Sequence, residues 1–148
     1  MSEPTVELTR RIEAPPAQIW SALTSPDLIK RYFFGADVET DWVVGNPIRF
    51  RGEFKGKAYE DKGTILAFEP EKLLSYSHWS PLSGEPDTDE NYRVVTFGLK
   101  PEDDATLVSI AQAHLTGDER PEDRAKKAEY ESNWSKVLDG LSDVVGRA

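Results

Sequence analysis

Apolar and polar residues change period along this chain in a way that separates strands from helices. From Thr5 to Ile12, Val6 and Leu8 alternate with polar neighbours until Ile12, a period of two that predicts a half-buried strand. Ala14-Pro15-Pro16 ends it, because proline has no amide hydrogen to give a ladder. The segment from Ala17 to Leu23 puts Ile19, Trp20 and Leu23 near one helical face. Ser25-Pro26-Asp27 then opens a second short helix carrying Leu28, Ile29, Tyr32 and Phe33, since proline suits a first helical turn.

From Trp42 onward the period returns to about two, with Ile48 and Phe50, then Tyr59, then Ile65 to Phe68, separated by Gly or Pro; this reads as a run of strands. Leu74, Tyr76 and His78 share one face of the next strand, with Ser75 and Ser77 on the other. After a polar loop from Pro81 to Glu90, Val95, Phe97 and Leu99 form one alternating set and Val108 and Ile110 another, joined by an acidic turn at Glu102-Asp103-Asp104. Between Pro121 and Val145 the period becomes helical. Tyr130, Trp134, Val137, Leu138, Leu141, Val144 and Val145 make a stripe, which predicts one continuous amphipathic helix with Trp134 largely buried.

No repeat, linker or composition break divides the 148 residues, so a single domain over 1–148 is expected. Hydrophobic residues make up 38% and charged residues 30%, which is the composition of a folded chain. The net charge of -9 repels phosphate backbones and anionic lipid surfaces, so nucleic acid is not an expected partner. The absence of cysteine removes disulfides, thiolate nucleophiles and cysteine-type zinc sites. No basic-then-apolar leader opens the sequence and no apolar run approaches the ~20 residues of a bilayer span. The expected location is the cytoplasm, with no membrane insertion.

The order strand, two short helices, antiparallel strands and long terminal helix carries a resemblance. The stretch from Arg11 to Pro26 resembles the opening segment of the START-like, polyketide-cyclase and birch-pollen-allergen superfamily. Gly45-Asn46-Pro47-Ile48-Arg49-Phe50, the segment from Gly63 to Pro70, and the segment from Leu74 to Trp79 resemble the branch named for activators of the heat-shock-protein-90 ATPase. Asn133-Trp134 with Val137, Leu138 and Leu141 fits that branch's terminal helix. Two positions depart from it: Asn133 stands where a glycine is usual, and His78 where an aromatic is common. The resemblance implies an α+β helix-grip fold, a curved antiparallel sheet wrapped around the C-terminal helix with an apolar pocket between them.

Alternation then nominates the residues facing that pocket: Phe50, Leu74, Tyr76, His78, Val95, Phe97, Val108, Ile110 and Gln112 from the sheet, and Tyr130, Trp134 and Leu138 from the helix. Each apolar member equally suits a plain core. His78 is the discriminating one, because an imidazole on an apolar face needs a ligand, a neighbouring Tyr or a carbonyl as partner, or a wet strand end. His114 is expected at the surface or rim. Asp37, Glu39 and Asp41, and the loop from Glu85 to Glu90, are expected as solvated surface. No zinc, iron or calcium spacing and no nucleophile-elbow, P-loop or dinucleotide motif occurs, so no catalytic residue, metal or cofactor is expected.

Three functions fit. One is binding of a small hydrophobic or aromatic molecule. A second is a cyclase- or aromatase-like enzyme using a pocket His or Tyr as acid or base. The third is a stress- or chaperone-associated role, although the chain has no room for the separate chaperone-binding domain that the namesakes carry. A homodimer is left open.

Overall fold

The computed structural model describes residues 5–33, 35–116 and 121–146. Val6–Ile12 (β1) leads into two helices, Pro16–Thr24 (α1) and Pro26–Tyr32 (α2), each with proline in its first turn. Six strands follow: Asp37–Thr40 (β2), Pro47–Phe54 (β3), Lys57–Glu69 (β4), Leu73–His78 (β5), Arg93–Glu102 (β6) and Ala105–His114 (β7). Pro121–Ala125 (α3) and Lys127–Gly146 (α4) complete the chain.

The strands form one seven-stranded antiparallel sheet in the order β1-β7-β6-β5-β4-β3-β2. β2 to β7 are a meander, so α1 and α2 must carry the chain from one edge to the other. Tyr32 holds them together by donating its hydroxyl to the Ala22 carbonyl at 2.8 Å. A register shift between Ile65 and Ala67 breaks the β4–β5 ladder; such bulges bend and twist a sheet. Nearby, a Cβ on Gly63 would fall 1.6 Å from the Ser77 carbonyl oxygen, so β4 and β5 can cross there only with glycine. The helix-grip architecture expected from the sequence is the one observed.

On the concave side, Ile12, Ile19, Ile48, Ile65, Leu74, Val108 and Ile110 pack with Val137, Leu138 and Leu141 of α4 into the core. α4 rests on α2 at Gly140, where a Cβ would come within 2.6 Å of Tyr32 Cβ. Asp37 and Glu39 are exposed on edge strand β2, as expected, while Asp41 lies beyond it and its carboxylate accepts from Val43 N–H and Asn46 Nδ2.

Two expectations need correction. The terminal helix is not continuous from Pro121 to Val145. Lys126 is a turn whose N–H reaches the Asp123 carbonyl at 3.1 Å before α4 begins, and the side chain of Asp123 is bonded into the sheet. Trp134 is half-buried rather than enclosed, because the space beside it is open.

Candidate functional site

Inward-facing positions on neighbouring strands line up in rows across the sheet. One row is Leu74, Phe97 and Ile110; the next is Tyr76, Val95 and Gln112; the last is His78, Arg93 and His114. The concave face is therefore apolar at one end and polar at the other. Val137, Leu138 and Leu141 seal the apolar end. Lys126, Tyr130, Asn133 and Trp134 stand over the polar end, where a cavity of about 470 Å³ remains.

Of the residues nominated from sequence, Phe50, Tyr76, His78, Val95, Gln112, Tyr130 and Trp134 line this cavity. Leu74, Phe97, Val108, Ile110 and Leu138 do not; they are packed in the adjoining core, since the helix lies directly on their end of the sheet. Phe33, Ala36, Tyr59, Asp61, Trp79, Ser80, Glu85, Arg93, Asp123, Lys126 and Asn133 complete the wall. Phe33 stacks on Phe50 at 5.5 Å between ring centroids and meets the edge of Trp134 at 5.9 Å, geometries that favour aromatic packing. Trp134 also donates its Nε1–H to Gln112 Oε1 at 2.8 Å.

His78 has a partner, and it is a carboxylate: Nε2 lies 2.9 Å from Asp61 Oδ2. The His78 ring sits edge-on to Phe50 at 5.6 Å. A carboxylate on one imidazole nitrogen fixes ring orientation and leaves the other for proton transfer. The Tyr76 hydroxyl is pushed well above its ordinary pKa by burial and then by the charge of Asp61, and Tyr59 is raised by the same two causes.

At the polar end Arg93 ties three segments together. Its Nε and Nη2 donate to the two Asp123 oxygens at 3.2 and 2.8 Å, and Nη1 donates to Glu85 Oε1 at 2.7 Å and to the Asn91 carbonyl at 2.8 Å. Such a bidentate fork is the strong form of an ion pair. Burial pushes Asp123 up, but the Arg93 hydrogen bonds and charge, helped by His114, outweigh it and hold the carboxyl below the usual range. Tyr130 is raised by burial and then by Asp123, 3.4 Å from its hydroxyl. Trp79 donates its Nε1–H to the Glu85 carbonyl at 3.2 Å and stacks on Tyr92, fixing the loop beside the cavity.

Here too the sequence reading is corrected. His114 is not at the rim: its side chain is 1% exposed and lies against Asp123 Oδ2, equally buried. Glu85 is no solvated turn residue but part of the cavity wall. The signal for the missed residues was alternation carried further. Tyr59 and Asp61 continue the inward set of Ile65, Arg93 that of Val95 and Phe97, and His114 that of Ile110 and Gln112. Asp123 had no such signal, being one acid among several at a helix start.

A family model described as Activator of Hsp90 ATPase homolog 1-like protein matches residues 13–146. The chain belongs to that family. Among solved structures it is similar to ChR145 of Cytophaga hutchinsonii, at 40% identity over 98% of this chain and 97% of that one, with a TM-score of 0.77. CalU16 of Micromonospora echinospora is 25% identical over 98% of this chain and 81% of that one, with a TM-score of 0.72. Ara h 8.0201 shares the fold at 14% identity, 97% coverage of both chains and a TM-score of 0.71. No curated protein matches the sequence.

His78 and Asn133 both line the cavity. They join Asp61, Arg93 and Asp123 among the polar groups at that end of the wall. Among the described residues no group of three or more His, Asp or Glu side chains is placed to hold a metal ion, and no helix is long and apolar enough to cross a membrane. The arrangement can hold an aromatic or aliphatic body, meet a few polar groups, and exchange a proton at His78.

Proposed function

We propose that the chain binds a small, largely apolar or aromatic molecule between the sheet and the N-terminal half of α4. The observation that carries this is the cavity of about 470 Å³, within the size range of small-molecule sites. Phe33, Phe50, Tyr76, Val95 and Trp134 supply the contact surface. Apolar contact contributes ~25 cal/mol per Å² buried and a neutral hydrogen bond nets about 0.5 to 1.5 kcal/mol. Shape therefore dominates affinity, with His78, Gln112 and Tyr130 orienting the ligand. Native mass spectrometry of protein purified without added ligand tests this: a retained small molecule supports it. A chain that carries none and takes up no hydrophobic dye speaks against it.

A second reading rests on the Asp61–His78 pair. In a cyclase- or aromatase-like reaction His78 would remove a proton from an enolisable substrate, with Asp61 holding the imidazole in place. Replacement His78→Phe separates the two. Modestly weaker binding fits the first reading; unchanged binding with abolished turnover fits the second. The family's name does not by itself bring a chaperone partner to this chain.

A further inference from the structure

Trp134 fixes which way Gln112 points. An indole N–H can only donate, so the Gln112 atom 2.8 Å from it is the amide oxygen and the amide N–H₂ turns elsewhere. That N–H₂ bonds to none of the described residues, and neither does the hydroxyl of Tyr76, which stands in the same row of the sheet on the other side of Val95. Neither donor is among the partnerless polar atoms sealed from solvent, as Asp61 Oδ1 is. Gln112 is 7% and Tyr76 3% exposed, and both line the cavity, so their open surface is the one a bound molecule meets. Burial and then the charge of Asp61 keep the Tyr76 proton in place. The floor of the cavity therefore holds two donors that await an acceptor.

An ammonium group would leave both donors unanswered. A carboxylate would accept from them, but it would enter a space walled by Asp61, Glu85 and Asp123, with Arg93 already donating from all three guanidinium nitrogens. A hydroxyl would bring a proton that needs a partner of its own. A carbonyl oxygen has two lone pairs and no proton. Resting on the binding reading above, we infer that the ligand is an uncharged carbonyl compound with an aromatic or aliphatic body, whose oxygen accepts from the Gln112 amide and the Tyr76 hydroxyl.

Four probes that differ in one substituent on a naphthalene ring test this by equilibrium dialysis: 2-acetylnaphthalene, 2-isopropenylnaphthalene, in which CH₂ replaces the carbonyl oxygen, 1-(2-naphthyl)ethanol and 2-naphthoate. With the unmodified chain, the ketone should bind about ten-fold more tightly than the alkene of the same shape, and more tightly than the other two. That ratio should fall to about three-fold in Tyr76→Phe and in Gln112→Met. Lost packing alone cannot mimic the fall, since the two probes share one ring and one shape. Equal binding of ketone and alkene by the unmodified chain, or a ratio that neither substitution lowers, overturns the carbonyl inference while leaving the cavity as a binding site. Tightest binding of the alcohol overturns it in favour of hydroxyl recognition, and tightest binding of 2-naphthoate in favour of anion selection. Retention of none of the four overturns the binding reading and this inference with it.

Discussion

Replacing Arg93 by Met keeps the length of the side chain and removes only its charge and donors. Asp123, 1% exposed, and Glu85, 27% exposed, then lose their shared cation. Removing one partner of a buried ion pair costs about 3 to 5 kcal/mol. The lower end applies here, because His114 still touches Asp123 and the Tyr130 hydroxyl lies 3.4 Å away. For a slope of roughly 2 kcal/mol per molar urea, a loss of about 3 kcal/mol lowers the unfolding midpoint by about 1.5 M. The loss should also depend on pH. In the native chain the Asp123 carboxyl is held below its ordinary value, so its contribution is complete above the unfolded value and lost as pH falls through the depressed one. Without Arg93, burial dominates and the carboxyl shifts upward instead, so the cost of Arg93→Met should shrink between about pH 7 and about pH 5 as Asp123 takes a proton. Urea unfolding at both pH values measures this. A loss under about 1 kcal/mol, or one equal at the two pH values, would refute a buried, mutually dependent cluster.

Three further outcomes are expected. Trp134→Ala enlarges a space that is already open, so it should cost about 2 to 3 kcal/mol in denaturant unfolding rather than the ~3 to 5 of an enclosed aromatic, and it should remove binding of an aromatic probe. Gly63→Ala places a Cβ 1.6 Å from the Ser77 carbonyl; by circular dichroism and thermal melting it should lose at least about 3 kcal/mol or fail to fold, and native-like melting would contradict the crossing of β4 and β5. All five tyrosines are raised by burial first and then by a neighbouring charge, from Tyr76 at Tyr32, Asp61 at Tyr59 and Tyr76, and Asp123 at Tyr130; Tyr92, also bonded to Asp87, is pushed up to about 12. For the buried Tyr32 and Tyr76 the contribution is complete below the unfolded tyrosine value and lost as pH rises from it through the raised native one, so their tyrosinate absorbance should appear together with unfolding above about pH 10.

The architecture was legible in the sequence because burial imposes periods that survive in one dimension. Val6 to Ile12, Leu74 to His78 and Val95 to Leu99 alternate, and Val137, Leu138 and Leu141 recur at helical spacing. Those patterns, with Pro16 and Pro26 opening the two short helices, set the element order and the inward set that includes Tyr76, His78 and Gln112, and the family resemblance carried by that order implied the helix-grip fold. What they could not determine is where along α4 the core stops. Phe97 and Trp134 carry the same kind of signal and meet edge to face, yet one is buried in the core and the other borders open space. That division depends on where the helix lies on the sheet, which Gly140 against Tyr32 and Asp123 against Arg93 decide. The polar pairings were equally hidden. Asp61 and His78 lie seventeen positions apart, and Arg93 and Asp123 thirty. An ion pair leaves no period in the chain, so only the register of β4 through β7 and the turn at Lys126 brings these charges together.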